Sequence, residues 1–255
     1  MAVQEQCTVI KHEQLTGNIF ALTLSAPKIS RLAKAGQFVH ISCGDAQLLR
    51  RPISICDTTE DTLRIVFVVK GEGTKWLSQR KTGDGLDILG PAGHGFDLDR
   101  LGAKPVFIGG GIGVPPMLKS MKDAKALGAQ PTAILGFRDK DAVILEEEFQ
   151  AVGTVYTATD DGSYGISGFV SDVLEGHIAE FTSVCCCGPK GMLRALAMIA
   201  EKAGIPCQVS MEERMGCGIG ACLVCACSLK GEDGETKYGH VCKDGPVFDS
   251  KEVAW

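Results

Sequence analysis

Residues 105–116 read Pro-Val-Phe-Ile-Gly-Gly-Gly-Ile-Gly-Val-Pro-Pro, a short apolar run followed by a glycine-rich turn and two prolines. The pattern predicts a buried strand that leads through a tight turn into a helix. In α/β proteins such a turn binds nucleotide phosphates, because the helix N-terminus offers free N–H groups and a partial positive charge. The prolines suit the first helical turn, where an N–H has no intrahelical partner. The run lacks the full G-x-G-x-x-G spacing, so by itself it fits either a nucleotide site or a purely structural turn.

After residue 104, strands and helices alternate along the chain, which predicts a doubly wound parallel α/β sheet. Two further turns follow predicted strands, at 160–163 and 187–189, and the carboxyl ends of strands are where open α/β sheets bind ligands. The predicted strands are Pro105–Ile108, Thr132–Gly136, Val155–Thr159 and Ser183–Cys187, and the predicted helices are Pro116–Leu127, Glu146–Phe149, Gly168–Leu174 and Gly191–Ala203.

Before residue 104, short β patterns follow one another without helical stretches between them, which predicts an antiparallel barrel. Arg50-Arg51-Pro52-Ile53-Ser54 stands out there. Arginine is a natural phosphate partner, and a serine one turn further along adds a hydroxyl donor. Gly71-Glu72-Gly73-Thr74 precedes a predicted helix at 75–78 and has a second anion-binding geometry. Each motif taken alone also fits a surface turn with solvated charge.

Four cysteines near the C-terminus carry the most specific pattern in the chain. Cys217, Cys222, Cys225 and Cys242 are spaced C-x4-C-x2-C-x16-C, as in plant-type [2Fe–2S] ligand sets. Glycines at 216, 218 and 220 let backbone N–H groups approach the cluster sulfurs. The alternative is a zinc site, but zinc sites usually show two short Cys pairs, whereas here three cysteines share one loop.

A hairpin is predicted to return the chain to the fourth cysteine. Its strands would be 226–229 and 236–241, with turn residues at 231–234. Cys227 lies on the first strand and is predicted to pack in the hairpin core instead of binding metal.

Composition excludes several classes of function. The chain has 255 residues, a net charge of -5 and no run of Lys and Arg, which argues against nucleic-acid binding. No stretch reaches the roughly eighteen apolar residues of a membrane span, and residues 1–6 do not resemble a signal peptide. Twelve cysteines without a secretion signal favour a reducing cytoplasm and cofactor ligands over a disulfide framework.

These segments, in this order, resemble the ferredoxin–NADP reductase superfamily. Arg51-Pro52-Ile53-Ser54 resembles its flavin motif, and Gly-Gly-Gly-Ile-Gly at 109–113 and Cys187-Gly188-Pro189 resemble its nicotinamide motifs. Residues 212–222 and 241–248 are similar to the electron-transfer subunits of NAD-dependent dihydroorotate dehydrogenases, and the resemblance covers essentially the whole chain. It implies an antiparallel flavin-binding β-barrel at 1–100, a doubly wound parallel α/β NAD-binding domain at 101–206, and a small [2Fe–2S] subdomain at 207–255.

Carried over residue by residue, the resemblance implies a cofactor role for three sets of side chains. The implied FAD contacts are Arg51, Pro52, Ile53, Ser54, Val66, Phe67, Val68, Gly73 and Thr74, the last two at the pyrophosphate. The implied NAD contacts are Gly110, Gly111, Ile112, Gly113, Val114, Asp160, Cys187, Gly188 and Pro189. The implied cluster ligands are Cys217, Cys222, Cys225 and Cys242. Arg138 is either a partner for the 2′-phosphate of NADP or a solvated loop charge, and the resemblance favours NAD.

The resemblance also implies a reaction that is shared with a second subunit. An FMN-containing dihydroorotate dehydrogenase subunit would oxidise dihydroorotate, and electrons would pass singly through the [2Fe–2S] cluster to FAD and then to NAD⁺. The implied assembly is a heterotetramer with two copies of each subunit, acting in pyrimidine (UMP) synthesis. No residue of this chain is expected to act as a catalytic acid or base. The five histidines occur singly, and each is predicted to have a surface or packing role.

Two other functions fit part of the pattern. A flavin and iron–sulfur subunit of a transhydrogenase or sulfide-type dehydrogenase, an NAD(P)H–ferredoxin oxidoreductase, would share the two domains and the C-terminal cluster. The early Cys217 within Cys-Gly-Ile-Gly-Ala-Cys favours the dihydroorotate dehydrogenase subunit. A redox-sensing regulator would be expected to carry an appended DNA-binding or docking segment, and the sequence reaches Trp255 a few residues after the cluster motif.

Overall fold

Six strands within the first 92 residues close into an antiparallel barrel in the computed structural model, which describes residues 2–231, 233 and 235–255. The strands are β1 (Val3–Gln14), β2 (Ile19–Ser25), β3 (Phe38–Ile41), β4 (Arg51–Thr58), β5 (Thr62–Val68) and β6 (Gly85–Ala92). Their order around the barrel is β1-β2-β5-β4-β3-β6. Side chains of alternate residues fill the interior, among them Val39 and Ile41 of β3. The predicted barrel is confirmed.

Two short helices belong to this part of the chain: α1 (Pro27–Leu32) and α2 (Glu72–Ser78). The sequence analysis placed Ser54 one turn beyond Arg51, and this was wrong, because both residues lie on strand β4. In a strand successive side chains point to opposite faces, so Arg51 and Ser54 leave β4 on opposite sides.

The second part of the chain is an α/β sheet of seven strands. In chain order these are β7 (Pro105–Gly110), β8 (Thr132–Phe137), β9 (Thr154–Thr159), β10 (Ile166–Ser167), β11 (Ser183–Cys187), β12 (Cys207–Ser210) and, nearer the C-terminus, β15 (Val247–Asp249). Their order in the sheet is β10-β9-β8-β7-β11-β12-β15. All neighbouring pairs are parallel except β12 and β15.

Four helices cover the two faces of this sheet, which confirms the doubly wound architecture. They are α3 (Val114–Ala126), α4 (Glu146–Gln150), α5 (Val170–His177) and α6 (Lys190–Ala203). Apolar side chains of α3 and α4 pack on one face together with residues of the barrel, and those of α5 and α6 pack on the other. None of the described helices combines the length and apolarity that crossing a bilayer requires.

The C-terminal segment is joined to the sheet and carries a hairpin of its own. Strands β13 (Ala226–Lys230) and β14 (Thr236–His240) pair antiparallel. The turn predicted at 231–234 includes residues 232 and 234, which lie outside the described residues. The predicted domain limit at residue 206 falls just before β12, so two sheet strands, β12 and β15, come from the segment assigned to the cluster subdomain.

Candidate cofactor and cluster site

One cleft of about 1360 Å³ runs between the barrel and the α/β sheet. This volume exceeds the roughly 300–1,000 Å³ that is typical of a site for one small molecule. Sixteen of the eighteen residues that sequence analysis linked to FAD or NAD line it, and the segment 210–215 closes one side. The lining residues from that prediction are Arg51, Pro52, Ile53, Ser54, Val66, Phe67, Val68, Thr74, Gly110, Gly111, Ile112, Gly113, Asp160, Cys187, Gly188 and Pro189.

The barrel contributes two neighbouring strands to the cleft. Strand β4 brings Arg51–Ser54 and strand β5 brings Val66–Val68, all of them half-buried or buried. Arg51 is held in place by a hydrogen bond from Nη2 to Gln47 Oε1 at 2.7 Å and by a second bond to the Leu49 carbonyl. A guanidinium fixed in this way presents its remaining donors to an anion without further loss of side-chain freedom.

Gly73 does not line the cleft and contributes in another way. A Cβ added to Gly73 would lie 2.4 Å from Arg51 Nε, so the glycine leaves room for the guanidinium. The neighbouring Thr74 lines the cleft, but its hydroxyl accepts hydrogen bonds from the backbone N–H groups of Lys70 at 2.9 Å and Gly71 at 3.2 Å. Thr74 therefore shapes the start of α2.

The α/β sheet contributes two turns that meet at the point where the strand order reverses. The turn after β7 carries Gly110–Gly113 and the turn after β11 carries Cys187–Pro189, and β7 and β11 are adjacent. Open α/β sheets bind ligands at such a switch point. A Cβ on Gly113 would lie 2.3 Å from the Cys187 carbonyl oxygen, so these two turns touch through their backbones. Val114 is fully buried under the turn and does not line the cleft.

The Cys187 side chain faces the cleft as a neutral thiol. Burial raises its pKa to about 12, against the lowering effect of a hydrogen bond with the Ser210 side chain. Cys185 and Cys186 are fully buried in β11, as the sequence analysis predicted for small apolar side chains.

One basic and one acidic side chain lie at the end of the cleft formed by β8 and β9. Arg138 and Asp160 follow β8 and β9 and both line it. The Arg138 side chain is 85% exposed, and its Nε donates to Asp139 Oδ2 at 2.8 Å. The neighbouring Asp161 carboxylate also lies within its electrostatic reach. Two carboxylates, those of Asp139 and Asp161, thus lie near the guanidinium of this exposed arginine.

The cysteine loop is arranged as a cradle of backbone N–H groups around four sulfurs. Cys217 Sγ accepts from Ile219, Ala221 and Cys222 at 3.5, 3.2 and 3.4 Å. Each of the other three sulfurs accepts one such bond. The Cys217 N–H donates to Cys222 Sγ, the Gly220 N–H to Cys242 Sγ and the Cys242 N–H to Cys225 Sγ. Donors aimed at sulfur stabilise negative charge there, which is what thiolate ligands of an iron–sulfur cluster require.

The four sulfurs approach one another in two pairs, Cys217 with Cys222 and Cys225 with Cys242. In the part of the chain that the structure describes, no three His, Cys, Asp or Glu side chains group closely enough for a single metal ion. A zinc ion needs its ligands tetrahedrally around one point, whereas two irons divide four thiolates between them. The donor set therefore fits a [2Fe–2S] cluster better than zinc.

The loop also favours the ligand form of its first cysteine. Burial raises the pKa of the Cys217 thiol, but the N–H groups of Ile219, Cys222 and Ala221 outweigh burial and lower that pKa to about 6. The thiolate is the form that binds metal.

Cys227 lies in the same buried apolar core as Cys225 and Cys242, and burial raises its pKa. It differs in its hydrogen bonds. Each of the four assigned ligands accepts a backbone N–H from another residue, and among the other described residues none donates to the Cys227 sulfur. This difference supports the prediction that Cys227 is not a ligand.

Contacts between the barrel and the cysteine segment were missed by the sequence analysis. The loop after β6 contacts this segment through His94. Its backbone N–H donates to the Gly245 carbonyl at 2.5 Å, and its Nδ1 lies 2.7 Å from the Lys243 carbonyl. On the other side of the segment, the buried His40 of β3 lies against Gly218. Isolated histidines leave no signal in the sequence for contacts with residues so distant along the chain.

Comparison with known families identifies two parts of the chain. Residues 212–254 match the iron–sulfur cluster binding domain of dihydroorotate dehydrogenase B. Residues 107–197 match the oxidoreductase NAD-binding domain.

Similar proteins cover the whole length. A protein of Geobacillus thermodenitrificans named dihydroorotate dehydrogenase B (NAD(+)), electron transfer subunit, is 44% identical, and the alignment covers 99% of each chain. The proteins of the same name from Bacillus caldolyticus and Bacillus cereus are 43% and 42% identical, again over 99% of each chain.

Two solved structures extend the comparison. A chain of an NADH-dependent reduced ferredoxin–NADP oxidoreductase superimposes with a TM-score of 0.88 at 30% identity, covering 98% of this chain and 90% of that one. A ferredoxin–NADP⁺ reductase of Neisseria gonorrhoeae with bound FAD and NADP has a TM-score of 0.67 at 19% identity, covering 79% of this chain and 92% of that one, and shows the shared fold.

Proposed function

Because the chain belongs to the family of electron transfer subunits of dihydroorotate dehydrogenase B, we propose that it passes electrons to NAD⁺ from a catalytic subunit that oxidises dihydroorotate, as a step of pyrimidine synthesis. The observation that carries this proposal is that the residues assigned to FAD, to NAD and to the approach to the cluster line one cleft. The strands assigned to FAD, the turns assigned to NAD and the segment 210–215, which leads to the first cluster cysteine, all line it.

The residues present fit the two bound groups that this function needs. FAD, when bound, exchanges hydride with a nicotinamide and single electrons with an iron–sulfur cluster. We assign its binding to Arg51–Ser54, Val66–Val68, Gly73 and Thr74, with Arg51 as the partner of an anionic group. The apolar side chains of Val66 and Phe67 exclude water from one side of that site.

The nicotinamide coenzyme is assigned to the other wall of the cleft. Gly110–Gly113 offer backbone N–H groups without side chains in the way, and Cys187–Pro189 bring a neutral thiol to the same place. Val114 packs beneath this turn, and Asp160, after β9, lines the same cleft. The similarity to electron transfer subunits named for NAD(+) supports NAD as the coenzyme of this site.

The cluster is assigned to Cys217, Cys222, Cys225 and Cys242. The N–H groups that already point at their sulfurs would stabilise the more negative, reduced form and so tune the potential. These residues would hold and orient the bound groups and shield them from water. No side chain of this chain is assigned as an acid or base.

As an electron transfer subunit the chain works with a catalytic subunit. We propose that this partner carries FMN and that the complex contains two copies of each subunit. Apolar side chains that lie exposed around the cluster loop, Ile219, Leu223 and Val224, would form part of the interface. We also propose a cytoplasmic location, because the eight cysteines outside the proposed cluster form no disulfides, as is usual in a reducing compartment.

The test is purification of the tagged chain from its own cells without oxygen, followed by assay of the complex. We expect a stoichiometric FMN-containing subunit and dihydroorotate-dependent reduction of NAD⁺. A complex that contains FAD and iron but does not oxidise dihydroorotate would contradict the proposal.

A second candidate rests on the solved structure at 30% identity. In that case the chain would serve as the flavin and iron–sulfur subunit of a transhydrogenase-type NAD(P)H–ferredoxin oxidoreductase. The same purification separates the two, because the partner would then be a large subunit whose activity depends on ferredoxin and NADP.

A further inference from the structure

His40 is a fully buried polar side chain whose position has no explanation within the barrel. It lies on strand β3 and is 0% exposed. Its neighbours Val39 and Ile41 point into the barrel interior, so His40 points outward, on the same side as Phe38. Phe38 lines the cofactor cleft and packs with the core of the α/β sheet.

The ring of His40 lies against the loop that carries the first two cluster cysteines. A Cβ added to Gly218 would lie 2.5 Å from His40 Nδ1 and 3.0 Å from Cε1. The ring also lies beside the backbone of Cys217. Gly218 has a φ of 71°, a conformation that favours glycine. Glycine at this position therefore serves both the turn of the loop and the close approach of the ring.

Neither ring nitrogen makes a hydrogen bond of normal geometry with the residues that the structure describes, and the Cys217 backbone is the polar group that interacts with the ring. Burying a polar group without a partner costs free energy, commonly about 1–3 kcal/mol. An apolar side chain would fill the same space without that cost. An imidazole ring carries at least one N–H in either protonation state, so His40 has a hydrogen bond to donate.

The same residue stands beside the flavin-binding strand. His40 pairs with Pro52 of β4, and Phe38 pairs with Ser54. Residues 51–54 are those assigned to FAD. His40 thus brings the strand beside the flavin-binding strand β4 into contact with the cluster loop.

We propose that His40 is a positioning residue for the cluster, whose ring N–H donates a hydrogen bond to the Cys217–Gly218 backbone when the cluster is bound and so fixes the loop against the flavin-binding strands. The inference rests on the proposed cluster ligands. The loop supplies most of the N–H groups aimed at the four sulfurs. Holding its backbone holds those donors, and donors to sulfur raise the reduction potential of a cluster.

The experiment compares two variants of the intact complex. His40→Leu removes the N–H and keeps an apolar side chain of similar bulk. His40→Asn keeps a donor near the place of Nδ1, the ring nitrogen nearest Gly218. For each, iron and FAD content, the electron paramagnetic resonance spectrum of the reduced cluster and its reduction potential are measured.

We expect His40→Leu to keep FAD and iron, to shift the cluster potential to a more negative value and to alter the resonance spectrum. We expect His40→Asn to restore both toward wild type. An unchanged potential and spectrum in His40→Leu would show that His40 is only packing and would overturn the proposal. If His40→Leu loses iron, the proposal is supported when His40→Asn keeps its iron and the wild-type spectrum. It is overturned when both variants lose iron.

The proposed ligands are tested separately by iron content in Cys222→Ser. Full iron in that variant would show that the ligand assignment has failed, whatever His40 does.

Discussion

At the scale of single residues, the assignment of the cluster depends on separating four ligands from a fifth cysteine nearby. Cys222 is exposed, and its sulfur accepts the Cys217 N–H at 3.4 Å. We expect Cys222→Ser to lose the cluster and dihydroorotate-dependent reduction of NAD⁺. FAD should stay bound, because its assigned residues lie on the barrel, and NADH oxidation by an artificial acceptor of flavin electrons should persist. Iron analysis, the flavin spectrum and both assays check this.

The matched control is Cys227→Ser in the same loop and hairpin. Its thiol is buried among apolar side chains, so we expect full iron and a modest loss of stability of about 1–3 kcal/mol from a buried hydroxyl. Loss of iron from Cys227→Ser would contradict the ligand assignment. Loss of FAD from Cys222→Ser would contradict the separation of the two sites.

At the scale of elements, the contact between the two turns of the α/β sheet explains why residue 113 is a glycine. Alanine at 113 would place Cβ 2.3 Å from the Cys187 carbonyl oxygen and 2.6 Å from its carbon, both of them backbone atoms. The turns would have to separate, at a cost of about 1–3 kcal/mol. We expect Gly113→Ala to lower kcat/KM for NADH roughly ten- to hundredfold, with FAD and iron content unchanged. Steady-state kinetics with an artificial acceptor measure it.

Gly176→Ala is the control for this substitution. It lies in helix α5 with nothing within 4 Å of an added Cβ, so NADH kinetics should match wild type. Equal kinetics in Gly113→Ala and Gly176→Ala would show that the turn is not part of the nicotinamide site.

The elements that were predicted from the sequence share a strong local signal. Strand β7, its glycine turn and helix α3 form an apolar run, a turn and a helix with prolines in its first turn, and each property is local. Strands β12 and β15 were missed, because they are four and three residues long and exist only through pairing with distant segments. Likewise, the motif Arg51–Ser54 was visible, but its strand conformation depends on β3 and β5.

The residues of the site also divide into those that have a local sequence pattern and those that do not. Cysteine spacing and glycine turns are sequence patterns, and they pointed to residues that the fold gathers in one cleft and one loop. His40, His94 and the segment 210–215 carry no such pattern, because a single histidine in a strand looks the same whatever packs on it. Their places follow from the tertiary contact between barrel and cysteine segment.

At the scale of the whole molecule, two ion pairs tie the barrel to helices α3 and α4 of the α/β domain. Arg64 of β5 pairs with Glu148 of α4 at 2.5 Å, and Lys122 of α3 pairs with Asp57 of β4 at 2.5 Å. The Arg64 side chain is 16% exposed and that of Lys122 is 40% exposed. We expect Lys122→Met to cost less than about 1 kcal/mol and Arg64→Met to cost about 1.5–3 kcal/mol, since it leaves a charge-assisted bond unmade.

Thermal unfolding of the two variants gives these differences. The single variant Glu148→Gln and the double variant Arg64→Met, Glu148→Gln complete a cycle that separates the pair from the burial of each side chain. The exposed pair Lys11–Glu13, within β1, is the control. An equal loss of stability in Lys122→Met and Arg64→Met would contradict the expectation that the more buried ion pair contributes more.

Electron transfer between subunits requires that the partner reach the cluster, and the surface around the cysteine loop is suited to an apolar contact. Leu223, Ile219 and Val224 are 58–59% exposed and flank the exposed Cys222. Exposed apolar side chains in a cluster mark interaction sites more often than isolated ones do.

We expect Leu223→Glu to retain FAD and iron but to weaken binding to the catalytic subunit at least tenfold, because a carboxylate would have to be desolvated. Met198→Glu on α6, where Met198 is 60% exposed, should bind the partner as wild type does. Titration of the partner with dihydroorotate-dependent NAD⁺ reduction as readout gives the affinities, and equal affinities for the two variants would place the interface elsewhere on the chain.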